Sequence, residues 1–256
     1  MSTTMTTTTT PRRSRLDRRT ALRLAADEYA RFADALAALD TDEWTKRTDC
    51  PAWDVRQMAC HTVGMAEMTT GLREQLRQQR RAAADASATG SSTLDALTAL
   101  QVSERAAWTP DQVLAGIRSV APRAARGRRR VAVLMGRMRL PEKQVVNGRE
   151  ETWTLGYLAE TILTRDPWMH RMDIARATGR APLLTADHDG VIVADVVAEW
   201  ADRHGLPYRL RLTGPAGGSW SAGDGGPTIE MDAIEFCRVL SGRGSGDGLL
   251  TTEVPF

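Results

Sequence analysis

Arg165-Asp166-Pro167-Trp168-Met169-His170-Arg171-Met172-Asp173 is the stretch whose reading decides the fold. It carries helical periodicity, and on a helix residues four apart stand one turn above each other on the same face. Asp166 and His170 are such a pair. Both can reach one metal ion if a third ligand arrives from another helix. The chain has only four histidines, His61, His170, His188 and His204. His61, in an earlier helical stretch, is the best third arm. Two histidines and a carboxylate suit zinc or another divalent first-row ion, with a position left open for water or substrate. Spacing alone leaves the alternative open, because carboxylate–histidine pairs at this interval are common. In that case Asp166 is a helix cap or surface charge and His170 its ordinary neighbour. Asp173, three residues after His170, is placed to accept the other ring N–H and fix the tautomer. Its plainer role is a surface pair with Arg171 or Arg176.

Outward from this stretch, composition limits the function classes. The chain has 256 residues, 26% charged and 42% apolar, with a net charge of +2. That length buries a good core in one large or two small domains. The charge balance gives no reason to expect nucleic acid, although arginines concentrate at 12–19 and 123–130. Arginines 123–130 read as a solvated helix face, with an anion-binding rim as the functional alternative. No apolar run approaches the roughly 18 residues of a membrane span, so no membrane partner is expected. Residues 1–16 are rich in Thr and Arg without an apolar core segment, which predicts a disordered tail rather than an export signal. The expected compartment is cytoplasmic, and Cys50, Cys60 and Cys237 are then free thiols rather than a disulfide framework.

Along the chain, apolar steps of three and four from Leu22 to Leu39 predict a helix over 17–40. Asp54 with Gln57 forms a capping-box start, and a second helix is expected from Val55 to about Arg81, with His61 bordering its inner face. Residues 82–92 read as a flexible loop or frayed end. Helices follow over about 94–107 and from Thr109-Pro110 to about Met138, with a kink or break at Pro122. Residues 139–151 read as loop, with Asn147-Gly148 as a turn. Another helix starts near Thr154 and ends at Thr178-Gly179. Pro167 either kinks it or marks a new helix capped by Asp166. Residues 189–204 form a further helix. Period-two segments at 208–212, 218–222 and 228–231 read as three antiparallel strands. A short helix at 233–240 and an edge strand at 253–256 complete the chain. The expected class is α+β: a disordered tail at 1–16, a four-helix bundle at 17–180 and a small α+β domain at 181–256.

Cys50-Pro51-Ala52-Trp53-Asp54-Val55-Arg56, with Met58-Ala59-Cys60-His61, resembles the signature C-P-G-W-x-V-R-x-L-x-x-H of the mycothiol-dependent maleylpyruvate isomerase family of actinobacteria. Ala52 and Met58 depart mildly from it. The Arg165–Asp173 stretch is similar to that family's later metal-binding segment, with Asp166 where the pattern has Glu, one methylene longer. Leu212-Thr213-Gly214, Trp220, Asp232-Ala233 and Leu240-Ser241-Gly242-Arg243 look like its small sterol-carrier-like C-terminal domain.

The resemblance implies a DinB-like four-helix bundle and a divalent metal, usually zinc, on His61, Asp166 and His170. It also implies mycothiol as thiol cosubstrate and a small electrophilic substrate, isomerised or converted to a thioether. Arg238 and Arg243 are candidates to hold a substrate carboxylate, because arginine binds carboxylates bidentately. Surface solubility is their plainer role. A metal-dependent hydrolase on the same bundle and a non-catalytic small-ligand-binding protein are the rival functions.

Overall fold

The computed structural model describes residues 10–256. The order is α1 (Arg18–Ala37), α2 (Val55–Met68), α3 (Leu72–Thr89), α4 (Thr93–Ser103), α5 (Pro110–Met135), β1 (Gln144–Val146), β2 (Arg149–Glu151), α6 (Leu155–Tyr157), α7 (Leu163–Thr178), α8 (Asp189–His204), β3 (Tyr208–Thr213), β4 (Gly218–Ala222), β5 (Thr228–Asp232) and α9 (Ala233–Leu240). The chain is α+β, a helical N-terminal region followed by a small sheet unit. Among the described residues no helix is long and apolar enough to cross a membrane.

Helices α1, α2, α5 and α7 enclose one core, built on Tyr29, Phe32, Met58, Val63, Ile117 and Ile174. A second core joins Val193, Val196, Trp200, Leu210, Leu212 and Phe236 to Trp168, Met169 and Met172 of α7. The α7 helix therefore serves both cores, and the expected boundary at 180/181 falls just after it. Of the expected tail, residues 1–9 lie outside the described residues. From Arg12 the chain is paired rather than disordered: its backbone N–H donates to Thr152 and its carbonyl accepts from Thr154.

The second helix is two helices. The Thr69 and Thr70 hydroxyls donate to the carbonyls of Ala66 and Glu67, closing α2 before Gly71. The segment 82–92 is largely the end of α3 rather than loop. At this junction α5 crosses so closely that a Cβ on Gly127 would lie 1.8 Å from the Thr69 carbonyl oxygen. Gly127→Ala is expected to lower stability by about 1–3 kcal/mol by forcing the two helices apart, measurable as a shift in urea midpoint. Pro122 does not break α5, which runs through it. It lies on the exposed face, so the forfeited hydrogen bond faces solvent. Residues 144–151 form a hairpin through Asn147 (φ 50°) and Gly148 (φ 70°), matching the Asn-Gly preference of tight primed turns.

Pro167 sits inside α7, and Asp166 caps nothing. Upstream, a π turn spans Leu158–Ile162, a feature frequent at functional sites. Arg128 donates to Ala159 and Thr164 to Glu160.

The C-terminal sheet has the order β4-β3-β5. β3 and β4 are antiparallel, but β3 and β5 are parallel, which corrects the expectation of three antiparallel strands. The 223–227 link crosses the start of β3 so tightly that a Cβ on Gly226 would lie 2.0 Å from the Pro207 carbonyl oxygen. β5 therefore enters beside β3 at the same end and runs with it. Residues 253–256 form no strand; Val254 donates its N–H to Leu240 instead.

Candidate metal centre

The polar residues of the Arg165–Asp173 stretch point in several directions. Arg165 is buried and donates to Asp195 and Glu199 of α8 at 2.7 and 2.9 Å. Trp168 donates its indole N–H to Asp189. Arg171 bridges Glu28 of α1 (2.8 Å) and Asp189 of α8 (2.7 Å), and His188 meets the same Glu28 at 2.7 Å. The two arginines thus pin α7 to its neighbours and leave one face for Asp166 and His170.

That face meets His61. Asp166 Oδ1 lies 3.4 Å from His170 Nε2 and 3.6 Å from His61 Nε2, and ligand atoms of all three residues lie within 4.8 Å of one another. The capping box of Asp54 and Gln57 sets the start of α2 and with it the height of His61. Trp53 stacks on His61 with ring centres 4.8 Å apart and meets His170 edge-on at 5.9 Å, forming one wall. Four-coordinate zinc with bonds of about 2.0–2.1 Å sets its ligand atoms roughly 3.4 Å apart, which is the spacing seen here. Asp166 Oδ2 is sheltered and has no hydrogen-bond partner among the described residues, nor has the buried His61 Nδ1. The donor set and the unpartnered carboxylate oxygen both fit a divalent cation.

Behind His170, its Nδ1 lies 3.3 Å from Asp173 Oδ2, so Asp173 is not on the surface. Arg243 Nε donates to both oxygens of Asp173 at 2.8 and 3.0 Å. Burial alone would raise the Asp173 carboxyl, but the His170 hydrogen bond and the Arg243 charge hold it below the usual carboxylate range. Burial likewise opposes charge on His170 and on Asp166, yet their mutual attraction prevails. His170 is raised to about 9, and Asp166 is held well below its ordinary value.

Without metal, His170 is thus charged in the folded chain and mostly neutral in the unfolded chain between about pH 6.5 and 9. Its stabilisation is complete below about 6.5 and is lost as pH rises through about 9. Metal binding displaces that proton, so it follows the opposite trend. Chelator-treated protein is expected to melt lower at pH 9.5 than at pH 7, while the stabilisation added by zinc grows over the same range. Calorimetric melting at matched ionic strength checks both trends.

Of the two candidate arginines, Arg238 is consumed within the chain. Its three guanidinium nitrogens donate to Glu235, Asp49 and the Arg243 carbonyl. Arg243 stands nearer the centre, with Nη2 3.8 Å from Cys50 Sγ. From sequence Cys50 is a free thiol with no role at the metal, yet its thiol also clusters with His170 and Asp173. Burial pushes that thiol up, opposed by the Arg243 charge. Cys60 and Cys237 are buried in the cores, as small apolar residues.

The family model for the mycothiol maleylpyruvate isomerase N-terminal domain matches residues 25–175. The crystal structure of the mycothiol-dependent maleylpyruvate isomerase is similar in fold, with TM-score 0.54 and 18% identity over 94% of this chain and 95% of that chain. A histidine-to-alanine mutant of that enzyme aligns with TM-score 0.50 and 17% identity over the same shares. At this identity the likeness is one of fold. No curated protein sequence matches the chain.

Proposed function

The chain belongs to the mycothiol maleylpyruvate isomerase N-terminal domain family, and from that premise we propose that it is a metal- and thiol-dependent isomerase of a small cis-unsaturated acid. The observation that carries this reading is the convergence of His61, Asp166 and His170 at ligand spacing beside an unpartnered carboxylate oxygen. His61 Nε2, His170 Nε2 and the Asp166 carboxylate would hold the ion, with zinc favoured by this donor set. A zinc ion with an open position lowers the pKa of a bound thiol, so that mycothiol is available as thiolate at neutral pH.

The residues around it have separate tasks. Asp173 accepts a hydrogen bond from the Nδ1–H of His170 and leaves Nε2 as the donor atom. Trp53 fixes the His61 ring and keeps water from one side. Arg243, anchored through Nε and with Nη2 beside the Cys50 thiol, turns its outer guanidinium edge to a substrate carboxylate, and Arg238 positions the Asp49-Cys50 loop. The reaction needs no oxidant and no net proton. The thiolate sulfur forms a C–S bond to one olefinic carbon, and the π electrons move onto the conjugated carbonyl. Rotation about the resulting single bond follows, and C–S cleavage restores the double bond in trans geometry and returns the thiolate. An S-transferase on the same site would stop at the C–S bond.

The test is to incubate zinc-loaded protein with maleylpyruvate, with and without mycothiol, and to follow both geometric isomers by NMR. The trans isomer should accumulate only when thiol and metal are both present. Thiol-independent turnover would overturn the reading, and a stable thioether product would assign a transferase instead.

A further inference from the structure

From residue 112 to residue 141 the chain has eight arginines and no Asp or Glu. Arg128 is buried, and the other seven, Arg118, Arg123, Arg126, Arg129, Arg130, Arg137 and Arg139, are exposed. None of the seven takes part in an ion pair among the described residues, although neighbouring segments are laced with pairs such as Arg18–Glu160 and Lys143–Glu150. At 100° per residue, Arg118, Arg123, Arg126, Arg129, Arg130 and the apolar Val133 and Leu134 fall within an arc of about 160° on α5. The opposite side of α5 packs on α1 and α2. At the C-terminal end of this face Val133 and Leu134 are 49% and 77% exposed, and Met138, just past the end of α5, is 56% exposed. The net charge of +2 over the whole chain hides this local excess.

We propose that the outer face of α5 docks on an anionic lipid surface, with the arginines at the headgroup phosphates and Val133, Leu134 and Met138 in the boundary below them. Arginines mixed with exposed aliphatic side chains on one helical face are what an interfacial helix requires, and each basic group near an anionic leaflet adds attraction. Charge complementarity excludes a second copy of this face, which would set arginine against arginine. Single-stranded nucleic acid is disfavoured because no aromatic residue occurs between 109 and 152 on which a base could stack. On duplex DNA the exposed Leu134 and Met138 would gain nothing against phosphate.

The test is co-sedimentation of the full zinc-loaded chain with vesicles of equal phosphatidylglycerol and phosphatidylcholine, and with pure phosphatidylcholine vesicles. The chain should pellet with the anionic vesicles only, and release them at about 0.5 M salt, where screening shortens to a few ångströms. Arg126→Glu with Arg130→Glu should weaken binding roughly 30-fold or more. Leu134→Ser with Met138→Ser should weaken it several-fold without removing its salt dependence. Both pairs of substitutions lie on exposed positions, and an unchanged melting curve confirms folding. Equal binding to both vesicle types, or anionic binding untouched by charge reversal, would overturn the proposal. Tighter capture by duplex DNA than by vesicles would also overturn it.

Discussion

His170→Ala is expected to take bound zinc from about one ion per chain to almost none, with loss of affinity beyond the 10- to 100-fold typical of an outer hydrogen-bond partner. The variant removes one of three ligands, and it also strips Asp173 of the group it orients. Asp173→Asn separates the two effects. It keeps every ligand and the volume of the side chain but weakens the acceptor at Nδ1, so affinity should fall by about 10- to 100-fold. Asp166→Asn should lower affinity as a ligand variant does, because in this structure Asp166 caps no helix. Equilibrium dialysis against a zinc chelator, with metal quantified by mass spectrometry, gives all three numbers. Zinc stoichiometry unchanged in His170→Ala would remove the metal centre from the account.

The largest stability effect is expected from Arg171→Met. Arg171 lies next to the metal cluster in sequence, but its guanidinium faces the other way, between Glu28 of α1 and Asp189 of α8. Met fills much of the volume and satisfies neither carboxylate. Glu28 keeps only His188, and Asp189 keeps Trp168, Thr185 and Arg31. Removing one member of a buried ion network costs about 3–5 kcal/mol, because charge is left without compensation. Urea unfolding should show that loss as a lower midpoint at unchanged slope. A loss below about 1 kcal/mol would mean that the network contributes no more than an exposed pair does.

Local signals located most helices well. Asp17, Asp54, Thr109 and Thr154 each cap a helix through their own side chains, and the glycines at 179 and 205 end helices in left-handed geometry. Such caps act within one turn of the chain, so they are legible without any tertiary partner. The failures share the opposite cause. The end of α2 at Thr69 is tied to the close passage of α5 over Gly127. The direction of β5 depends on which edge of β3 it joins, and period-two patterning is the same for either edge. Arg238 and Asp49 lie 189 residues apart, too far for any local signal to show that they pair.

The Arg165–Asp173 stretch shows the division best. Its spacing alone placed Asp166 and His170 on one face, because a helix repeats every 3.6 residues whatever surrounds it. The same spacing was silent on whether Asp166 would cap a helix at Pro167 or meet His61. Tertiary structure decided that. Arg165 and Arg171 anchor α7 to α8 and α1, which fixes its rotation, and α7 runs through Pro167. Rotation of a helix about its own axis is set by what its other faces bury, and only the folded chain supplies those faces.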